Sequence, residues 1–202
     1  MKTHSSAALA LLLATILPLA AQNGKPDAEG FIRDWLVLAP FPVAETSGAD
    51  EIEKKQFADE AQPGAKEGAV QKVGDKELKW RKITAPLFYL DFKEAYPEQS
   101  ENVVAWAVAY VVSAEEKSGL TLKMNSNDQG KVYLNGKEVV SFTQTRTLEK
   151  ETEDSAPNVT LKKGANLLVL KVVNEVNNWQ GSARFLDKSG KPVTDLKIET
   201  KP

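Results

Sequence analysis

Two polar clusters hold the side chains with which this chain could bind a ligand. The first lies in "NEVNNWQGSAR", residues 174–184, where Asn177, Asn178, Trp179 and Gln180 follow one another. A flat aromatic face packs on the apolar C–H face of a pyranose ring, and planar amides bond adjacent hydroxyls in fixed geometry. Trp179, Asn177 and Asn178 are therefore the leading candidates for a sugar site. The competing assignment makes Trp179 a buried cap on the core and the asparagines turn formers, the commoner fate of a large aromatic. The second cluster, Asn125, Asn127, Asp128 and Gln129, precedes "KVYLNGKEV". Asp128 and Asn127 are the second-ranked ligand candidates, set against a tight turn in which both side chains bond nearby backbone N–H groups. A structural calcium is not supported by the spacing. The first position of an EF-hand-like loop here lacks an acid, and the twelfth is Gly136 instead of a bidentate Glu. No cofactor is expected.

Catalytic chemistry is narrowly bounded. His4 is the sole histidine and there is no cysteine. Residues 1–21 read as a secretory signal peptide: Lys2 and His4, the apolar run "AALALLLATIL" (7–17), then Leu19-Ala20-Ala21 before Gln22. Its removal leaves neither His nor Cys, which excludes Ser-His-Asp and Cys-His catalysis, ordinary zinc sites and His-ligated haem. A glycosidase needs two carboxylates roughly 5–9.5 Å apart. With 28 Asp and Glu in the chain, such pairs arise by chance, and no pair is marked by an apolar setting. An exported chain without cysteine lacks disulfides and a lipid-anchor cysteine at the cleavage site, which points to a bacterial periplasmic or extracellular protein. Net charge is −2 and the charges are interspersed. No basic stripe suggests nucleic acid, and no further apolar run is long enough to insert in a membrane.

The elements that must position these clusters are strands. Residues 22–30 are expected as a disordered linker and 31–199 as a single domain. "FIRDWLVLAPFP" (31–42) is a strand closed by prolines. Residues 43–75 form a long connection, with room for a short surface helix over "DEIEKKQFADEA" (50–61), that either wraps the fold or carries function. "ELKWRKIT" (77–84) alternates as one strand, and "PLFYLDF" (86–92) is a short apolar one. "NVVAWAVAYVVS" (102–113) carries large residues on one face and alanines on the other, so both faces are covered and it is a central strand. "GLTLKMNS" (119–126) follows, then "KVYLNGKEVVSF" (131–142), a hairpin with Asn135-Gly136 at a type I′ turn. "VTLKKGANLLVLKVVN" (159–174) reads as a further pair turning at Lys163-Gly164, and "SARFLD" (182–187) and "KPVTDLKIE" (191–199) close the chain. About ten short strands with almost no helix predict an all-β, two-sheet antiparallel sandwich.

The series "FIRDWLVLAPFP", "VVAWAVAYVVS", "NSNDQGKVYLNGKEV" and "VTLKKGANLLVLKVVNEVNNWQGSARFLDKSGKP" resembles the galactose-binding-domain-like jelly roll. That module occurs as the sugar-binding domain of family 2 glycoside hydrolases and in many secreted bacterial proteins. The resemblance implies a two-sheet sandwich and a non-catalytic role, most often recognition of a polysaccharide or other glycan through loops at one rim. Two departures bear on the ligand: the turn at 127–130 holds one acid instead of two, and Tyr133 stands where Trp is frequent. Two other functions stay open. A structural or protein-interaction module of an envelope assembly would display an apolar patch on a sheet face. A small glycoside hydrolase would place one carboxylate of raised pKa in a cleft.

Overall fold

The computed structural model describes residues 24–45 and 47–201. The expected signal peptide therefore lies outside the described residues. The chain runs β1 (Asp34–Pro42), α1 (Gly48–Glu53), β2 (Val70–Val73), β3 (Lys76–Lys79) and β4 (Arg81–Thr84). It continues with β5 (Leu90–Asp91), α2 (Phe92–Ala95), β6 (Val103–Ser113), β7 (Lys117–Asn127) and β8 (Gln129–Leu134). It ends with β9 (Lys137–Phe142), β10 (Asp154–Leu161), β11 (Gly164–Asn174), β12 (Gln180–Leu186) and β13 (Lys197–Glu199). A seven-stranded antiparallel sheet has the order β4-β1-β6-β11-β8-β9, with β13 pairing on β6. A four-stranded sheet, β10-β7-β12-β5, packs against it, and β2-β3 form a separate hairpin. The architecture is the all-β antiparallel sandwich expected from the alternation.

Strand β6 shows how sequence sets the layers. Its alanines 105, 107 and 109 face the core between the two sheets, together with Leu122, Met124, Leu168 and Phe185. Small residues there let the second sheet approach closely. Trp106, Val108 and Tyr110 point the other way, into a second apolar cluster with Ile52, Phe57, Val73 and Trp80. That cluster exists because the long connection, described over 43–45 and 47–75, lies across the outer face of the seven-stranded sheet.

A buried lysine holds this strap down. The Lys171 ammonium is fully buried and donates to the Ile52 and Lys54 carbonyls (3.3 and 2.6 Å), Gln56 Oε1 (2.6 Å) and Glu60 Oε1 (3.0 Å). Burial pulls its pKa down, and the Glu60 carboxylate opposes that pull. Lys131 on β8 adds a second tie, donating to Glu53 at 2.7 Å and pairing with Glu138 at 3.0 Å. Burial disfavours the charge on Lys131, but those two carboxylates outweigh it and hold its pKa above the usual range.

Five local expectations are corrected. Residues 24–30 are not a loose linker: Gly24 N–H donates to Asp34 (2.7 Å), its carbonyl accepts from Ile198, and Asp27 binds Arg33 at 2.7 Å. The helix is shorter than 50–61, starts earlier and buries Glu51 and Ile52. "ELKWRKIT" breaks at Trp80, which sends β3 to the β2 hairpin and β4 to β1, because the indole turns into the second cluster. Only Leu90 and Asp91 of "PLFYLDF" are strand, and Phe92 begins α2, whose first turn Asp91 caps by accepting from Glu94 N–H (3.0 Å). Lys163-Gly164 joins strands of different sheets, since β10 pairs β7 and β11 pairs β6 and β8.

The Asn135-Gly136 turn is as read. Asn135 and Gly136 have φ of +51° and +81°, the signs a type I′ turn requires.

Candidate functional site

Both predicted clusters sit at one end of the sandwich, although some fifty residues separate them. The chain crosses from the four-stranded to the seven-stranded sheet between β7 and β8, at Asn127-Asp128. Asn127 is the register partner of Gln180, which follows Trp179. Asp128 accepts from the Glu175 N–H at 3.1 Å and donates its own N–H to the Val173 carbonyl at 3.2 Å.

The Asn125–Gln129 cluster is internal. All five residues are buried. Asn125 reaches the Glu149 carbonyl at 2.5 Å, and Ser126 donates to the Asp128 carbonyl at 2.8 Å. Arg146, stacked over Phe142 at 3.7 Å, donates to the Ser126 carbonyl (3.0 Å) and to Asp154 (2.6 Å). Burial pushes the Asp128 carboxyl up, the nearby Glu175 carboxylate adds to this, and backbone N–H groups oppose it. These groups hold a sheet-to-sheet crossing together; the expected local turn is replaced by a long-range bond, since Asp128 accepts from Glu175 and not from a neighbouring N–H. Among the described residues, no group of three or more His, Cys, Asp or Glu is placed to hold a metal.

The second cluster divides. Asn177 and Asn178 are exposed, and Asn177 has φ +71°. Trp179 has no exposed surface. Its ring packs on Phe92 at 5.1 Å and on Tyr96 at 6.4 Å. Stacking of a sugar on Trp179 is thereby corrected, because both ring faces belong to the core.

Trp179 leads instead to a candidate site that sequence reasoning missed. Tyr96 carries the stack onward: the Arg81 guanidinium carbon lies 5.1 Å from the Tyr96 ring centroid. Arg81 stands at the junction of two clefts on the open flank of the sandwich. One, of about 420 Å³, runs between β4 and α2 and is lined by Lys82, Ile83, Asp91, Glu94 and Ala95 as well as Arg81. The other, of about 580 Å³, adds Pro40, Tyr96, Pro97, Glu98 and Gln99. Arg81 and Ala95 line both, so the two clefts adjoin at these residues along one flank groove. Tyr96 is 9% exposed, and its hydroxyl has no hydrogen-bond partner of good geometry. Burial raises the phenol pKa, and the Arg81 charge opposes that rise. The signal was present in "WRKIT" and "FKEAYPEQ", but nothing in their spacing links them. On the far side of α2, Lys93 donates to the Asn177 carbonyl at 2.8 Å, which ties the exposed asparagines to the helix that walls the groove.

No family model matches the chain, and no curated protein does. Among solved structures it is similar to a β-glucosidase from Kluyveromyces marxianus, with a TM-score of 0.46, 13% identity, and coverage of 86% of this chain and 20% of that one. It is also similar to a GH31 α-xylosidase from Xanthomonas citri, with a TM-score of 0.36, 10% identity, and coverage of 86% and 18%. The chain spans about a fifth of the length of these enzymes. A likeness at this level assigns neither ligand nor activity.

Proposed function

We propose that this protein is an exported, non-catalytic carbohydrate-binding module of the galactose-binding-like kind. The glycan lies in the groove between β4 and α2; Asn177 and Asn178 line neither of its clefts and are linked to it only through Lys93 on α2. The observation that carries this reading is the groove itself. Two adjoining clefts present a cationic donor (Arg81), carboxylate acceptors (Asp91, Glu94) and an amide (Gln99) along one exposed flank. Sugar hydroxyls both donate and accept, and a mixed row of this kind suits them. Asp91 is already oriented, accepting from Glu94 N–H at 3.0 Å and Gln180 Nε2 at 3.2 Å. Export rests on the leader-like pattern of residues 1–21.

A hydrolytic role has less support. Asp128, the described carboxyl group pushed above its usual range, is 3% exposed and engaged by backbone N–H groups. It lines neither half of the groove.

Affinity electrophoresis and titration calorimetry against neutral and acidic plant, algal and bacterial polysaccharides test the proposal. Retardation by at least one polymer, reduced in an Arg81→Ala variant and unaccompanied by new reducing ends, is the expected result. Failure of every polymer to retard the protein overturns it.

A further inference from the structure

The four arginines differ in one respect. Arg33 pairs with Asp27 at 2.7 Å, Arg146 with Asp154 at 2.6 Å, and Arg184 with Glu153 at 2.5 Å. Arg81 has no carboxylate within ion-pair distance among the described residues, yet it is the arginine placed at the junction of the two clefts. Its position is also defined. Phe92, Trp179 and Tyr96 stack in sequence beneath it at 5.1, 6.4 and 5.1 Å. A guanidinium held beside an aromatic ring and unpaired with any carboxylate keeps N–H donors available, and a guanidinium fork matches a planar carboxylate. Pre-positioning lowers the entropy lost when the fork closes on a ligand.

The acids of the groove set the rest of the ligand's chemistry. Asp91 is oriented by the Glu94 N–H and Gln180. Glu94 and Glu98 line separate halves of the groove, one on each side of Arg81. A uniformly anionic polymer would meet repulsion at both. A sugar chain with a carboxylate opposite Arg81 and hydroxyls opposite Glu94 and Glu98 would meet none, because the hydroxyls donate to those acids.

We infer that the groove recognises a uronic-acid-containing glycan, with the Arg81 fork on the uronate carboxylate and Tyr96 as the platform that orients Arg81. This rests on the carbohydrate-binding reading above and specifies its ligand class. It makes Arg81 the residue that separates acidic from neutral sugars.

The test compares a polysaccharide in which uronate alternates with neutral sugars with the same polymer after carboxyl reduction of the uronate to the neutral sugar. Wild-type protein should bind the acidic form about ten-fold or more tightly, the scale of one charge-assisted bidentate contact. Arg81→Gln should abolish that preference while leaving the melting temperature unchanged, since Arg81 is exposed. Tyr96→Phe, which keeps the ring under the guanidinium, should retain it. Equal affinity of wild type for both forms, or an unchanged preference in Arg81→Gln, would overturn the uronate assignment and leave the broader module reading standing. Absence of binding to any glycan would remove both.

Discussion

Substituting Lys171 by Met should loosen the strap and cost about 3–5 kcal/mol, the usual loss when one member of a buried pair is removed. The size follows from what Lys171→Met leaves behind. Glu60 is 2% exposed and would keep only the Gln56 N–H (3.0 Å) and the Tyr133 hydroxyl (3.3 Å) as donors. The Ile52 and Lys54 carbonyls and Gln56 Oε1 would lose the ammonium as a donor. Methionine fills most of the space of the lysine stem, so packing adds little. With a urea m-value of about 2 kcal/mol/M, the midpoint should fall by about 2 M. The double variant Lys171→Met with Glu60→Gln should recover part of that loss, because the uncompensated charge is gone. If the strap opens locally before the sandwich melts, native trypsin should cut after Lys54 or Lys55, both exposed, faster in K171M than in wild type. A midpoint shift below about 0.5 M, with unchanged proteolysis, would show that the strap is held by its apolar face alone and refute the role given to the ammonium.

Three further outcomes follow from particular side chains. Trp179→Ala should lose about 3–5 kcal/mol in denaturant melts. Trp179→Phe should be mild, since it keeps a ring on Phe92 and Tyr96 and removes an indole N–H that has no partner, and it should leave glycan affinity intact if Trp179 only supports the groove. Asp128→Asn should gain stability relative to wild type as pH rises through and above the ordinary carboxylate range: a raised folded pKa means the native state holds its proton longer than the unfolded chain, so ionisation costs wild-type stability. That difference should vanish in melts run below the ordinary carboxylate pKa. Asn135→Ala should cost about 1–2 kcal/mol by thermal melt, because it strains a position at φ +51° and removes the Asn166 (2.9 Å) and Leu167 (2.9 Å) hydrogen bonds.

Which features were legible from the sequence depended on whether their cause was local. Alternation in β6, β7 and β8 and the Asn-Gly turn are set by neighbours in sequence, and the structure has them where the pattern placed them. The break at Trp80 was not legible, because alternation continues through it. What divides β3 from β4 is the pull of a distant apolar cluster on one indole. The same holds for the strap. Its acidic, glycine-containing composition reads as solvated loop, while Ile52, Phe57 and Val73 are too widely spaced to announce a shared face. Lys171 reads as an ordinary strand lysine until Glu60, more than a hundred residues earlier, is laid over it.

Trp179 makes the sharper case, because its residue type was read correctly and its direction was not fixed by anything nearby. Asparagines 177 and 178 mark a turn, and a turn can present the next side chain to either side. What decides is the partner surface: Phe92 and Tyr96 on and just after α2 offer an apolar slot, and the large apolar area of an indole favours filling it over display to water. Filling it has a consequence for the groove. Tyr96 is held from below by Trp179, and Arg81 is held from below by Tyr96, so a core packing decision sets the position of a surface cation. A displayed tryptophan would have offered a flat surface to any pyranose. On the proposed reading, a buried one that positions a guanidinium would select by charge and geometry instead, a narrower specificity than aromatic stacking alone provides.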